Sequence, residues 1–275
     1  MPTWDGFFST DFLAPINWVE GILPNENSSA VIDSTGAGAS PDPTLLAGQS
    51  ASVFLLEQSA RIFTVQGTLT VNAGATLSGV GILIIANTGT VSVSGNGLTV
   101  AGGTLNNFGT LGSTLQVSGG AVNNAGVITG AVTVSGGSLT LNPDSNLSDS
   151  ALLTVNTGGM VNVDAFDVIG RLAGDGGTVQ ISNGNGLNII GAANTAFSGI
   201  ISGEGFLQFE GTGTRILSGD NTYSGGTFID GGTLQVGAGG GAGTLGSGAV
   251  VNNGALVFDR SDLNFSPTRF RAQAR

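Results

Sequence analysis

The chain has 275 residues, 49 of them Gly, with no Cys, no His and only 9% charged residues, against roughly a quarter in ordinary globular proteins. The missing Cys exclude disulfide scaffolds, thiol nucleophiles and thiolate metal sites, and the missing His remove the commonest general base and zinc ligand. A net charge of −11, with Arg supplying all seven positive charges, opposes binding to phosphate backbones and anionic membrane surfaces. No nucleic-acid partner, cofactor or metal is expected on these grounds.

Order is expected nonetheless. Disordered chains are poor in apolar residues, whereas 40% of these residues are hydrophobic and the mean hydropathy is +0.30. Collagen is excluded because Gly does not recur at every third position and Pro is scarce. The densest apolar run, Val80–Ala86, falls far short of the ~18 residues of a membrane-spanning helix, so no integral membrane segment is expected. No basic residue precedes Arg61 and the first thirty residues hold no unbroken apolar core, so no export signal is visible in the sequence as given.

Along the chain, residues 1–35 read as an entry or cap segment, with Trp4, Phe7, Phe8, Phe12 and Trp18 expected to cover a first coil. Between Ser52 and Ile62 a helix competes with strands at Val53–Leu56 and Arg61–Val65. Short alternations bounded by Gly or Asn then predict half-buried strands at Gly67–Asn72, Gly89–Ser94, Ala131–Ser135, Thr178–Ser182 and Gly232–Val236. Thr68 and Thr70 read as outward strand residues, with no Thr-x-Thr ladder expected to persist through the coils. The clearest internal repeat sets Leu105–Gly120 against Val122–Gly137, in phase at Asn106/Asn123, Asn107/Asn124, Gly109/Gly126 and Val117/Val134. One Asn of each pair is predicted to stack on its counterpart, amide to amide.

Strands this short, joined by Gly and Asn corners at a period of 17 to 22 residues in the sequence, do not suit a sandwich of long antiparallel partners. The fold class read from them is all-β: a right-handed parallel β-helix (β-solenoid) over residues 36–266 with an aromatic N-terminal cap. Gly supplies the corner conformations and Asn tolerates them.

The segment LSGDNTYSGGTFIDGGTLQVG, Leu217–Gly237, continued by Gly246–Asp262 and led in by Phe197–Thr227, closely resembles the autotransporter-associated β-strand repeat of bacterial type V secreted passengers. The resemblance spans about 197–262. Phe206–Glu210 departs from the family, which tends to place a small residue and a Lys there. The opening Trp4–Pro24 is similar to the entry segment of many bacterial surface β-solenoids. These resemblances imply an extended stalk or adhesin-like rod, exported through a C-terminal β-barrel and displayed at the cell surface or outer membrane, or secreted. Its C-terminal coils would assist export and folding. The implied partners are a host or neighbouring-cell surface, or a second copy through an open solenoid end.

The end breaks the pattern. Asn194–Ser198 aligns with Asp262–Ser266, yet the continuation is PTRFRAQAR, with Arg269, Arg271 and Arg275. Residues 267–275 are read as an irregular Arg-rich tail, and a truncated or frame-shifted product with no independent function is one alternative reading. Another is a polysaccharide-acting β-helix enzyme, which needs paired carboxylates or a carboxylate with Arg or Lys. Its candidates are Asp164 with Asp167 and Arg171, or Asp259 with Arg260 and Asp262. Solvated turn carboxylates are the plainer explanation, so no catalytic residue is expected. Gly174–Gly177 (GDGG) matches a fragment of calcium-binding nonapeptide repeats but stands alone, and is read as a turn. Tyr223 and Phe228 are read as core or turn-packing residues.

Overall fold

The computed structural model describes residues 1–6, 8–33 and 41–262, together with the backbone of Phe270–Arg271. The chain divides into two compact units, Met1–Ala131 with Gly137–Leu139, and Val132–Gly136 with Thr140–Arg275. Each is a parallel β-solenoid, and the described residues contain no α-helix.

In the first unit, strands on successive coils pair in parallel. Ser50–Gln58 lies on Thr68–Leu77, which lies on Thr90–Val93 and Leu98–Val100. Ile62–Val65 lies on Ile82–Ile85, and that on Thr104–Asn107. The segment that could have been helical is therefore a strand, followed by a reversal at Arg61, whose φ is +62°. Parallel neighbours give its backbone groups partners on adjacent coils, and burial of Val53, Leu56 and Gln58 overrides the weak helix preference of Leu55–Gln58. The 17-residue repeat is a true coil: Val122 sits opposite Leu105, Leu115 opposite Leu98 and Ile128 opposite Leu111. Elsewhere in this unit the spacing is wider, as with Ala75 opposite Leu98 and Ala30 opposite Leu56.

Like residues stack inward, as in the buried columns Leu69–Val91–Leu111–Ile128 and Leu45–Val65–Ile85. The second column continues into Asn107 and Asn124, both fully buried. Asn107 Nδ2 donates to Asn124 Oδ1 at 2.7 Å and to the Val127 carbonyl at 3.1 Å, while Asn124 Nδ2 donates to the Gly126 carbonyl at 3.1 Å. Asn123 Nδ2 donates to Asn106 Oδ1 at 2.9 Å on the outer face, so both Asn of each pair stack. Asn107 Oδ1 has no donor, because the preceding residue of its column is Ile85. Replacing Asn107 or Asn124 singly by Val is expected to cost about 1–3 kcal/mol, since each change strands a buried amide. The double replacement should cost less than the sum in urea titrations; strict additivity would show that the two amides do not cooperate.

Outward Thr and Ser stack over several coils of this unit, but Thr68-x-Thr70 is followed by Thr90-x-Ser92 and Thr110-x-Gly112, so no Thr-x-Thr ladder persists. Ser50, Thr68, Thr90 and Thr110 occupy one column, ended by Val127, while Ser52, Thr70 and Ser92 form a second, ended by Gly112. Thr68 and Thr90 are 22 residues apart in the chain, so their stacking depends on a coil length that local alternation does not reveal.

The entry segment covers the first coil by edge pairing and aromatic packing. Trp4 N donates to the Val31 carbonyl and Phe12 N to the Thr44 carbonyl, both at 2.9 Å. Trp4, Phe12 and Trp18 are buried; Phe12 stacks on Phe63 with centroids 4.9 Å apart and meets Trp18 edge-on at 5.1 Å. Trp18 Nε1 donates to the Phe12 carbonyl at 2.9 Å, which satisfies the indole's polar end. Buried Asn17 accepts from Ser9 N at 2.9 Å and donates to the Asp11 carbonyl at 3.0 Å. Phe8, expected in the cluster, is 63% exposed; Phe7 lies outside the described residues.

The second unit presents three stacked faces. Met160–Val163, Thr178–Ile181 and Ile200–Gly203 form one. Asp167–Ile169, Gly186–Ile189, Phe206–Phe209, Thr227–Ile229 and Val250–Asn252 form the second. Thr195–Phe197, Thr214–Leu217, Thr233–Val236 and Ala255–Phe258 form the third. Inward columns include Ile169–Ile189–Phe209–Ile229 and Phe197–Leu217–Val236. Of the Arg-rich tail 267–275, the backbone of Phe270–Arg271 pairs in parallel with Val250–Val251; its other residues lie outside the described ones.

Candidate functional site

A cluster of buried polar groups in the second unit lies at the corner Gly219–Tyr223, between the strands Thr214–Leu217 and Thr227–Ile229. At this reversal Asn221 turns inward and is only 4% exposed, between the exposed Asp220 and Thr222. Its Oδ1 accepts from Ile201 N at 2.8 Å on the preceding coil. Its Nδ2 donates to the Gly219 carbonyl at 3.1 Å in its own coil and to the Thr244 carbonyl at 2.7 Å on the next. Thr244 Oγ1 returns a hydrogen bond to the Asn221 carbonyl at 3.0 Å. One amide thus joins three coils, and neither of its polar atoms is left unpaired, as burial requires.

Tyr223, two residues on, is fully buried, and its hydroxyl lies 2.6 Å from Thr227 Oγ1. Burial raises the phenol's pKa, which keeps it a neutral hydrogen-bonding group. The Tyr223 carbonyl accepts from Ser247 N at 2.8 Å. On the outer side of the corner, Asp220 Oδ1 accepts from Gly243 N at 3.0 Å. This chemistry holds coils together: the corner combines an amide, three hydroxyls and an outward carboxylate, with no activated nucleophile and base among the described residues there.

Arg215, four residues before the corner, points inward in the column Thr195–Arg215–Leu234 and is 2% exposed. Its Nη1 donates to the Gly213 carbonyl at 2.7 Å and its Nη2 to the Gly191 carbonyl one coil back, while Nε lacks a partner. Burial lowers its pKa, and no carboxylate compensates it among the described residues. The sequence reading passed over this residue. Counting the alternation back from inward Leu217 would have placed it inside.

The enzyme candidates do not assemble. Asp164 accepts from the Ser182 hydroxyl, whereas Asp167 is 4% exposed at the head of the inward column Asp167–Leu187–Leu207. Arg171 forms no ion pair with either among the described residues. Arg260 grips Asp262 through Nε at 2.8 Å and Nη2 at 2.6 Å and holds the carbonyls of Gly241 and Gly243; Asp259 instead accepts from Gln235 at 3.2 Å. That group fastens a glycine loop. The hydrogen bond to Arg260 holds the Asp262 carboxyl below its usual range. Asp175 of the GDGG segment lies in an exposed turn facing Asn156 and Thr157, and no cluster of three potential metal ligands occurs among the described residues.

Asp167 is the most perturbed carboxylate. Desolvation raises its pKa from 3.8 to about 6, opposed by hydrogen bonds from Ser145, Val168 and Leu147. The folded chain therefore binds this proton more tightly than the unfolded chain does. The resulting stability is fully present below about pH 4 and is lost as pH rises through about 6. Asn can keep the same contacts, accepting from both backbone N–H groups and donating to Ser145. Asp167→Asn is expected to stabilise the unit by about 1–3 kcal/mol at pH 7 and to change little at pH 4, as read by urea unfolding at the two pH values. An equal effect at both would locate the cause elsewhere.

Residues 210–236, which contain Arg215 and the whole Gly219–Tyr223 corner, match the family model of the passenger-associated-transport-repeat. No curated protein and no solved structure matches the chain.

Proposed function

We propose that the chain is a non-catalytic passenger segment of an autotransporter-like surface protein, an extended stalk or adhesin-type element whose repeat-bearing coils assist export and folding. The passenger repeat and the parallel β-solenoid support the passenger reading. The observation that carries the folding role is Asn221, which bonds the coil before it, its own coil and the coil after it. In a solenoid each coil gains its stability by docking on a neighbour, so a coil with fixed polar contacts on both sides is a suitable place for docking to begin. The absence of Cys suits a chain that crosses an oxidising compartment unfolded, since no disulfide locks it early. No helix among the described residues is long and apolar enough to cross a membrane. The partners of such a stalk would be a host or neighbouring-cell surface, or another copy of the chain.

The test is to delete Leu217–Gly237 and refold the purified chain from denaturant under limited proteolysis. Loss of most of the protease-resistant product, reached more slowly than in the parent, is the expected result. Unchanged yield and rate would remove the repeat from any role in folding.

A further inference from the structure

The outer side of the second face of this unit carries an aromatic strip. Phe166, 49% exposed, stacks on Phe206 with centroids 6.0 Å apart and planes at 29°, and Phe206 meets Phe228 edge-on at 5.7 Å. The far end of the Phe206 ring lies over Gly186 and Phe228 lies over Gly226, where in each case a Cβ would crowd the ring. Phe206 and Phe228 therefore both lean over glycines, with their planes nearly perpendicular, while Phe166 and Phe206 lie within 29° of parallel.

Beside them runs a ladder of amides and carboxylates. Gln208 Nε2 donates to Glu210 and to Asp230, both at 3.0 Å. Asn188 Nδ2 donates to Glu210 at 3.1 Å and Asn253 Nδ2 to Asp230 at 3.0 Å. The amide N–H groups are thus directed at carboxylates within the ladder, and what it offers outward is mainly oxygen acceptors. Asn188, only 6% exposed, leaves its Oδ1 buried without a donor beneath the strip.

We propose that this strip of Phe166, Phe206 and Phe228 with the Gln208–Glu210–Asp230 ladder binds an extended, uncharged polysaccharide chain. Pyranose rings present apolar C–H faces that suit flat aromatic rings, and their hydroxyls supply the donors that the ladder lacks. Successive rungs about 4.8 Å apart repeat the acceptors at close to the length of one sugar in an extended β-1,4-linked chain. The chain's charge of −11 repels acidic polysaccharides, and sugar hydroxyls can donate to the carboxylate lone pairs that the amides leave free.

The experiment is isothermal titration of the purified full chain with cellohexaose, and with hexagalacturonate as the acidic counterpart; it does not depend on the export reading. Saturable binding of cellohexaose and none of hexagalacturonate is expected. Phe166→Ala and Gln208→Ala should each weaken binding at least about tenfold with the thermal unfolding midpoint of Phe166→Ala unchanged, because that ring is half exposed. Absence of saturable binding at millimolar cellohexaose, equal binding of the acidic hexamer, or full affinity in both variants would overturn the proposal.

Discussion

Asn221→Ala is expected to destabilise the second unit by about 3–5 kcal/mol, a large part of the 5–15 kcal/mol that holds a typical domain folded. The amide it removes serves Ile201 N, the Gly219 carbonyl and the Thr244 carbonyl. Gly219 keeps a second donor in Thr244 N. Ile201 N is left buried without a partner, at about 1–3 kcal/mol, the part-buried Thr244 carbonyl loses its donor, and the lost side-chain volume adds a cavity term. Asn221→Asp separates hydrogen bonding from shape. One carboxylate oxygen can still accept from Ile201 N, but the other faces two carbonyl oxygens, so burial and repulsion raise its pKa. The Asp variant should therefore be weak at pH 7 and recover as pH falls, while the Ala variant should not. Protease resistance at pH 7 and pH 5 reads both; a pH-independent Asp variant would show that the corner does not use the amide as a donor to both coils.

These effects bear on what local patterns convey. Alternation identified strands such as Thr178–Ile181 and Thr233–Val236 because one face of each is buried and the other is not. The 17-residue repeat gave the true register of Leu105 and Val122 because coil length is constant there. Where coil length varies, as between Thr68 and Thr90, columns depend on loop lengths that no local pattern specifies. Polar residues in inward positions were legible only in part. Asn107 and Asn124 stood out because they recur, whereas Asp167, Arg215 and Asn221 occur singly, and a rule that sends polar residues outward misplaces them. Their burial is set by partners one coil away: Ser145 for Asp167, Gly191 for Arg215, and Ile201 with Thr244 for Asn221. The repeat resemblance marked the segment containing the corner, but the three-coil bonding of its Asn emerges only when the coils are stacked.

Gly219→Ala is expected to cost about 3–5 kcal/mol through a different mechanism. Gly219 is not in the left-handed region, so its backbone would accept Ala; the obstacle is space, since a Cβ would overlap the Gly199 carbonyl on the preceding coil. The two coils cannot easily part there. Ser218 N donates to the Phe197 carbonyl at 3.0 Å and Thr222 N to the Ile201 carbonyl at 2.8 Å, on either side of the contact. Admitting the methyl group would stretch both bonds and tilt Asn221 away from Ile201 N, so the overpacking penalty, usually about 1–3 kcal/mol, is compounded by lost hydrogen bonds. Gly240, in the neighbouring glycine loop, has nothing within 4 Å of its Cβ position and no left-handed φ. Gly240→Ala should be neutral or stabilising by up to about 1 kcal/mol, because it restricts the unfolded chain at no steric cost. Urea unfolding of the two variants side by side tests the argument: equal effects would mean that the close approach of Gly199 and Gly219 does not set the geometry of the corner, and a selective loss at Gly219 would show that the repeat needs glycine there for contact between coils.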